Sequence, residues 1–194
     1  MIRRLATVLL AFALAACSRS GPAAPAAPQA PKGPPPKVSA AQAYSEAARG
    51  AGISVGRTMA RDVAYVFFDP QCPHCAAMWV AAKPLLGELR MVWIPVAFID
   101  SLSAPQGAAL LGAPAPAAAI DAHETKVTRE DYGSMPAKVS PKLLAEVKAN
   151  TKLWLGIGAD VVPYVLYRNA RSGEAGIISG QLPTAELKRR LGLP

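Results

Sequence analysis

The sequence predicts an α/β sandwich built around a mixed sheet. Three observations carry this. VAYVFF, Val63 to Phe68, is apolar and rich in β-branched and aromatic residues without polar alternation, as in a strand buried on both faces. A long middle stretch, Ser103 to Lys152, reads as helical. The order along the chain is strand, helix, strand, helical insert, strand, strand, helix.

The elements follow in order. Ser39 caps a short helix running through Ala48, with Gly50 as its stop. After the strand at Val63, Pro73 fits a first helical position, where a missing amide costs nothing. Ala76 to Leu86 is a good helix former interrupted only by Pro84. Met91 to Phe98 reads as the next strand. In the middle stretch Ser140 and Pro141 form a cap and a start, and Leu143, Leu144, Val147, Thr151 and Trp154 share one helical face. Beyond Gly156 and Gly158 come strands at Tyr164 to Tyr167 and near Ala175 to Ser179. A last helix from Thr184 turns Leu187 and Leu191 inward.

Ahead of these elements the composition changes. Met1 to Arg4 are a short basic region, Leu5 to Ala13 an apolar one, and Leu14-Ala15-Ala16 a small-residue approach to Cys17. The apolar run is shorter than the roughly 20 residues that cross a bilayer. Leu-Ala-Ala-Cys resembles the lipobox of bacterial lipoproteins. That resemblance implies a signal peptide over residues 1–16 and a diacylglycerol on the Cys17 thiol, giving a periplasmic domain anchored to a membrane. Ser18 after the cysteine favours the outer membrane in that family's sorting pattern. Ordinary cleavage near Ala16 is the alternative. Residues 17–37 continue as a Pro/Ala-rich tether, GPAAPAAPQAPKGPPPK, too poor in large side chains for a core and suited to an extended form. At about 3.1 Å per residue it reaches roughly 60 Å. Residues 38–62 are expected to be a short helical lead-in, and residues 63–194 the main folded domain.

Net charge is +8, but five of the 21 basic residues lie in residues 1–37 with no acid, leaving 16 basic against 13 acidic. The basicity is mostly leader and tether, which argues against a nucleic-acid partner.

With Cys17 set aside, two of the 3 cysteines remain, Cys72 and Cys75, in FDPQCPHC. As a structural clip the pair is poor, because a disulfide closing so short a loop constrains the unfolded chain little. As a zinc site it is short of ligands: only His74 and His123 join the two cysteines. No cofactor is expected. Haem attachment needs a histidine directly after the second cysteine, where Ala76 stands. A dithiol at a helix N-terminus has a positive reason. Free amides and the helix dipole stabilise a Cys72 thiolate, while Cys75, inside the first turn, is shielded as a resolving thiol.

Phe68-Asp69-Pro70-Gln71-Cys72-Pro73-His74-Cys75, with Trp79 and Pro84 following, resembles the catalytic domain of the periplasmic thiol:disulfide interchange proteins DsbC and DsbG, DsbG most closely. The likeness continues through Gly158-Ala159-Asp160-Val161-Val162-Pro163-Tyr164 to Gly180–Gly192. It implies a thioredoxin-like fold with a helical insertion, Cys72 as nucleophile, Cys75 as resolving thiol, and a cis Pro163 beside them. Val161 and Val162 would then border the bound substrate strand. Two positions depart from DsbG. His74 replaces a tyrosine and Val162 a threonine, both resembling DsbA, the oxidant of the same compartment. An imidazolium at His74 would favour the reduced form and make the disulfide more oxidising. The family's N-terminal dimerisation domain has no room between the tether and Val63, so a monomer is expected.

The reading is a lipid-anchored periplasmic thiol:disulfide oxidoreductase, oxidase-like, acting on cysteine-containing proteins with an unidentified redox partner. A DsbG-like isomerase or reductase is the alternative, and a chaperone-like binding module with incidental thiols the alternative of another class. Asp69 reads equally as a thiol-tuning acid or a turn residue before Pro70. Trp79 and Trp154 read as core, His123 as structural or surface, and Lys188-Arg189-Arg190 as a solvated helix face.

Overall fold

The computed structural model describes residues 38–60 and 63–194. The leader, Cys17 and the tether lie outside the described residues. Val63–Phe68 (β2) is the centre of a five-stranded sheet of order β1-β3-β2-β4-β5. It pairs in parallel with Arg90–Pro95 (β3), Val66 opposite Trp93, and antiparallel with Tyr164–Arg168 (β4), Val66 opposite Val165. The parallel pair needs a crossover, which the helix Pro73–Ala82 (α2) supplies. Lys83–Leu85 follows as one 3-10 turn, where Pro84 ends the α-helical bonding. Ala175–Ser179 (β5) closes the far edge, antiparallel to β4.

The lead-in is more than the helix expected there. Ser39 does cap Ala40–Ala47 (α1), accepting the Gln42 amide at 3.2 Å. Ile53–Gly56 (β1) then adds an edge strand to β3, Ile53 opposite Trp93. Ile53 and Val55 are buried and alternate with exposed neighbours, a pattern four residues long and too brief to read in the sequence. Residues 38–56 are thus built into the fold.

Between β3 and β4 the insert is three helices: Ser103–Leu111 (α3), Pro116–Val127 (α4) and Pro141–Gly156 (α5). Pro116 and Pro141 each occupy a first helical turn, so the expected continuous stretch is divided at its prolines. Ser140 stands at the N-cap of α5 without a side-chain cap bond. β3 ends at Pro95 and not at Phe98, because the Phe98 and Ile99 amides turn away to a carboxylate at 2.7 and 2.9 Å. Thr184–Leu191 (α6) ends the domain, with Leu187 and Leu191 buried.

Alternate residues of each strand feed opposite faces of the sheet. On one, Val66, Phe68, Met91, Trp93 and Val165 meet α2, α4 and α6. Trp93 lies edge-on to Phe68 and Trp79, with ring centroids 5.5 and 5.0 Å apart. On the other, Phe67, Ile94, Tyr164 and Leu166 meet α1 and the Trp154 end of α5. Both expected core tryptophans are buried. The basic run on α6 is not simply solvated. Lys188 pairs with Glu88 at 3.1 Å, and Arg190 donates to the Ile177 carbonyl and the Tyr167 hydroxyl, because α6 lies against the edge of the sheet.

Candidate functional site: a dithiol at the start of a helix

The carboxyl end of β2 runs into a tight turn in which the Cys72 amide donates to the Asp69 carbonyl at 3.0 Å. Cys72 is the N-cap of α2, with extended backbone, and Pro73 holds the first helical position. The Cys72 sulfur takes the capping role usually filled by an oxygen, accepting the Cys75 amide at 3.3 Å. Both thiols are free. Cys72 retains 3% exposure and Cys75 none, while Pro73 and His74 between them are exposed.

This placement separates the two thiols in acidity. Hydrogen bonding from the Cys75 thiol, helped by the Cys75 and His74 amides, pulls Cys72 below its ordinary value against the opposing effect of burial. Burial pushes Cys75 well above its own, and the hydrogen bond to Cys72 and that residue's charge push the same way. His74 reaches Cys72 through its backbone amide.

The loop before β4 forms the other wall. Val162 is half-buried, its carbonyl 3.7 Å from the Cys72 sulfur, and the Val162–Pro163 peptide bond is cis. Val161 is turned toward α5, where its carbonyl accepts the Trp154 indole at 3.2 Å. Asp69 is fully buried. One carboxylate oxygen accepts the Gln71 amide at 2.9 Å and the other accepts Phe98 and Ile99. It is therefore the fastener of the loop after β3, and its charge also opposes, as the least of the influences on Cys72, the thiolate there. The Phe98 and Ile99 side chains so positioned are about half exposed, at 54% and 46%, and form an apolar shelf beside the dithiol loop.

The insert covers the opposite side. Gln71, 7% exposed, donates to the Tyr132 carbonyl at 2.9 Å and bonds Gln106 of α3. From α4, His123 meets the Pro70 carbonyl through Nε2 at 2.7 Å, and burial holds its imidazole below the ordinary value. Beside it Glu124 is fully buried and near enough for its charge to act on Cys75. Sequence reasoning named His123 without placing it here, and passed over Gln71, Gln106 and Glu124. One signal was available for Glu124: with Ile120 and Val127 it lies on the i, i+4, i+7 stripe of α4, a carboxylate on an apolar face. No group of three or more metal-ligating side chains occurs among the described residues, and no described helix is long and apolar enough to cross a membrane. Cys17 lies outside the described residues.

No protein-family model matches the chain. It is 30% identical over 133 residues to the thiol:disulfide interchange protein DsbG of Pseudomonas aeruginosa, covering 68% of this chain and 52% of that protein. To DsbG of Escherichia coli it is 31% identical over 114 residues, 58% of this chain and 46% of that one. The chain therefore spans about half the length of the curated relatives it matches. A periplasmic thioredoxin-like protein from Salmonella enterica superposes with a TM-score of 0.62 at 15% identity, over 77% of this chain and 94% of that structure. The fold is thioredoxin-like, with α3, α4 and α5 as its helical insertion.

Proposed function

We propose that this chain, a thioredoxin-fold thiol:disulfide interchange protein of DsbG type over the region it shares with its relatives, exchanges disulfides with protein cysteines through Cys72 and Cys75. The observation that carries the reading is the split between the two thiols: an acidic sulfur capping α2 and a buried, weakly acidic one inside the first turn. A thiolate is the nucleophile, and Cys75 is wholly buried, so exchange is directed to the sulfur of Cys72.

In the oxidised form a substrate thiolate attacks the Cys72 sulfur, the Cys72–Cys75 bond breaks, and Cys75 leaves as a thiolate that is then protonated. A second substrate thiolate attacks the substrate sulfur of the mixed disulfide, and Cys72 leaves as a thiolate. Two substrate thiols become a disulfide while the protein's disulfide becomes a dithiol. The exposed His74 at the helix start and valine at 162, the residue before Pro163, support this oxidase-like direction. The likeness to DsbG supports the reverse use as the second reading: the reduced protein attacks a wrong disulfide through Cys72, and Cys75 or another thiol resolves it.

The substrates we propose are unfolded or partly folded proteins with accessible cysteines, whose apolar residues lie on the Phe98–Ile99 shelf and whose backbone pairs near Val162. Cys17 is proposed as the lipidated residue of a periplasmic protein. A monomer is proposed because α1 and β1 occupy residues 40–56 as parts of the sandwich itself.

Alkylation of the reduced protein across pH tests the reading. Cys72 is expected to react first, well below the range of a free thiol, and Cys72→Ser to abolish exchange while keeping the fold, since serine is also an N-cap residue. Cysteines that titrate together near an ordinary thiol would refute it.

A further inference from the structure

The loop that follows β3 is held more firmly than its surface position requires. Its consecutive amides, 97 to 100, all end on side chains. Ala97 donates to Thr151 Oγ1 of α5 at 2.9 Å, Phe98 and Ile99 to one oxygen of Asp69 at 2.7 and 2.9 Å, and Asp100 to Ser103 Oγ at 3.2 Å. Asp69 and Ser103 are fully buried. A surface loop ordinarily leaves its amides to water, and burying a carboxylate costs free energy that its amide bonds offset. What this scaffold fixes is not core. Phe98 and Ile99 are 54% and 46% exposed, and two large apolar neighbours left that open add little to folding. Such a scaffold under them points to a contact made outside the chain.

The shelf is also joined to the dithiol by two routes. β2 is parallel to β3 and antiparallel to β4, so the ends of β2 and β3 and the start of β4 share one end of the sheet. One route is Asp69 itself, whose second oxygen accepts the Gln71 amide at 2.9 Å, one residue before Cys72. The other runs beneath the shelf. The Phe98 ring packs on Trp154 with centroids 5.0 Å apart, and the Trp154 indole donates to the Val161 carbonyl at 3.2 Å. Next to it, the Val162 carbonyl is 3.7 Å from the Cys72 sulfur. The shelf therefore stands at a fixed spacing from that sulfur.

We propose that Phe98 and Ile99 are a preformed subsite for one aromatic or branched apolar side chain of the cysteine-bearing segment of a substrate protein, with Asp69 as its positioning residue. The occupant follows from continuity: the shelf and the exchanging sulfur border one surface, so a segment whose cysteine lies at Cys72 brings its own neighbours onto Phe98 and Ile99. A subsite already held in place loses little freedom on binding. Because its spacing from the sulfur is fixed, it selects a cysteine by where the apolar residue stands in the surrounding sequence, and not by apolar content alone. An extended substrate backbone beside Val162 turns alternate side chains to one face, so the favoured positions lie two residues apart. Asp69 takes no proton in this role and acts through the three amides that it accepts.

This subsite presupposes Cys72 as the exchanging sulfur, and one experiment reads the two apart. Glycine- and serine-based nonapeptides with a central cysteine carry its sulfur as a nitrobenzoate mixed disulfide, and phenylalanine is moved through each of the other positions. When the Cys72 thiolate of the reduced protein attacks the peptide sulfur, a Cys72–peptide disulfide forms and one coloured thiolate leaves; release that persists in Cys72→Ser is background. In the wild type, phenylalanine at one position, or at two positions two residues apart on one side of the cysteine, is expected to raise the rate at least about fivefold over the parent peptide. Taking this ratio within each variant cancels any change in the thiol itself. In Asp69→Asn the ratio is expected to fall to within about twofold of one. Asparagine offers one acceptor oxygen and a donor group where the carboxylate offers two acceptors, so either the Gln71 amide or the Phe98 and Ile99 amides lose their partner and the spacing is released. Phe98→Ala should abolish the preference without touching the buried acid, and it decides the matter if Asp69→Asn does not fold. Release that is equal at all positions in the wild type would refute the subsite, as would a preference that survives Phe98→Ala. A preference that survives in a folded Asp69→Asn would refute the role of Asp69. No release that depends on Cys72 would refute the exchange reading and the subsite with it. A dimer in light scattering that Phe98→Ala converts to monomer would give the shelf to a second copy of the chain and overturn the proposal.

Discussion

Two polar side chains buried among the helices, one on each side of the sheet, are treated in opposite ways. Asn150, on α5 and 2% exposed, satisfies its amide completely enough to join three elements. It accepts the Ala51 amide at 3.0 Å and donates to the Ala51 and Pro95 carbonyls at 2.8 and 3.0 Å. Glu124, on α4 and equally buried, is bonded to nothing among the described residues. The first stitches α5 to the start of β1 and the end of β3. The second lies near the dithiol. The contrast separates a layer joined by hydrogen bonds from one that keeps an unpartnered acid near the dithiol.

The largest effect should come from cutting the stitch. Asn150→Leu leaves the Ala51 and Pro95 backbone groups buried without partners, at roughly 1–3 kcal/mol each, so a loss near 3 kcal/mol is expected in denaturant unfolding. Exchange activity per folded molecule should not change. A loss of activity with intact stability would mean that the two faces are not separable.

The converse change should add stability. Glu124→Met removes a buried unpartnered acid at similar volume and should stabilise the fold by about 1–2 kcal/mol at neutral pH. The sign follows from its raised acidity constant. Stability owed to the protonated form is full below the ordinary value of 4.5 and is lost as pH climbs through the folded value. The advantage of methionine should therefore be least near pH 4 and grow with pH. Unfolding curves at several pH values check it, and an advantage that shrinks with rising pH would contradict a buried acid.

The two layers were not equally legible in the sequence. Strands β2 and β5 stand out because their apolar runs are bounded by turns, and α6 because Leu187 and Leu191 repeat at helical spacing. The dithiol at the start of α2 was legible from Cys72, Pro73 and Cys75 alone, whereas the cis bond at Pro163 came only from the family motif. β1 was not legible, since four residues carry too little alternation and its partner β3 lies more than thirty residues on. Asn150 and Glu124 are each one polar residue on an apolar helical stripe. Nothing local distinguishes them, because what differs is the backbone or sulfur that the tertiary fold sets opposite.

The smallest expected effect lies at the mouth of the chemical face and concerns its direction. His74 is exposed at the helix start, two residues after Cys72, so its side chain can be changed without touching the core. An imidazole there can carry positive charge that favours the reduced, thiolate form; a tyrosine cannot. His74→Tyr should lower the reduction potential of the dithiol by about 30 mV, which for two electrons is about 1.4 kcal/mol. Unfolding stability of the oxidised protein should stay within about 0.5 kcal/mol, as for other surface changes. Equilibration with glutathione buffers measures the potential. An unchanged or higher value would remove His74 from the argument for an oxidase. The DsbG-like reductive use of the same two cysteines would then be the better account.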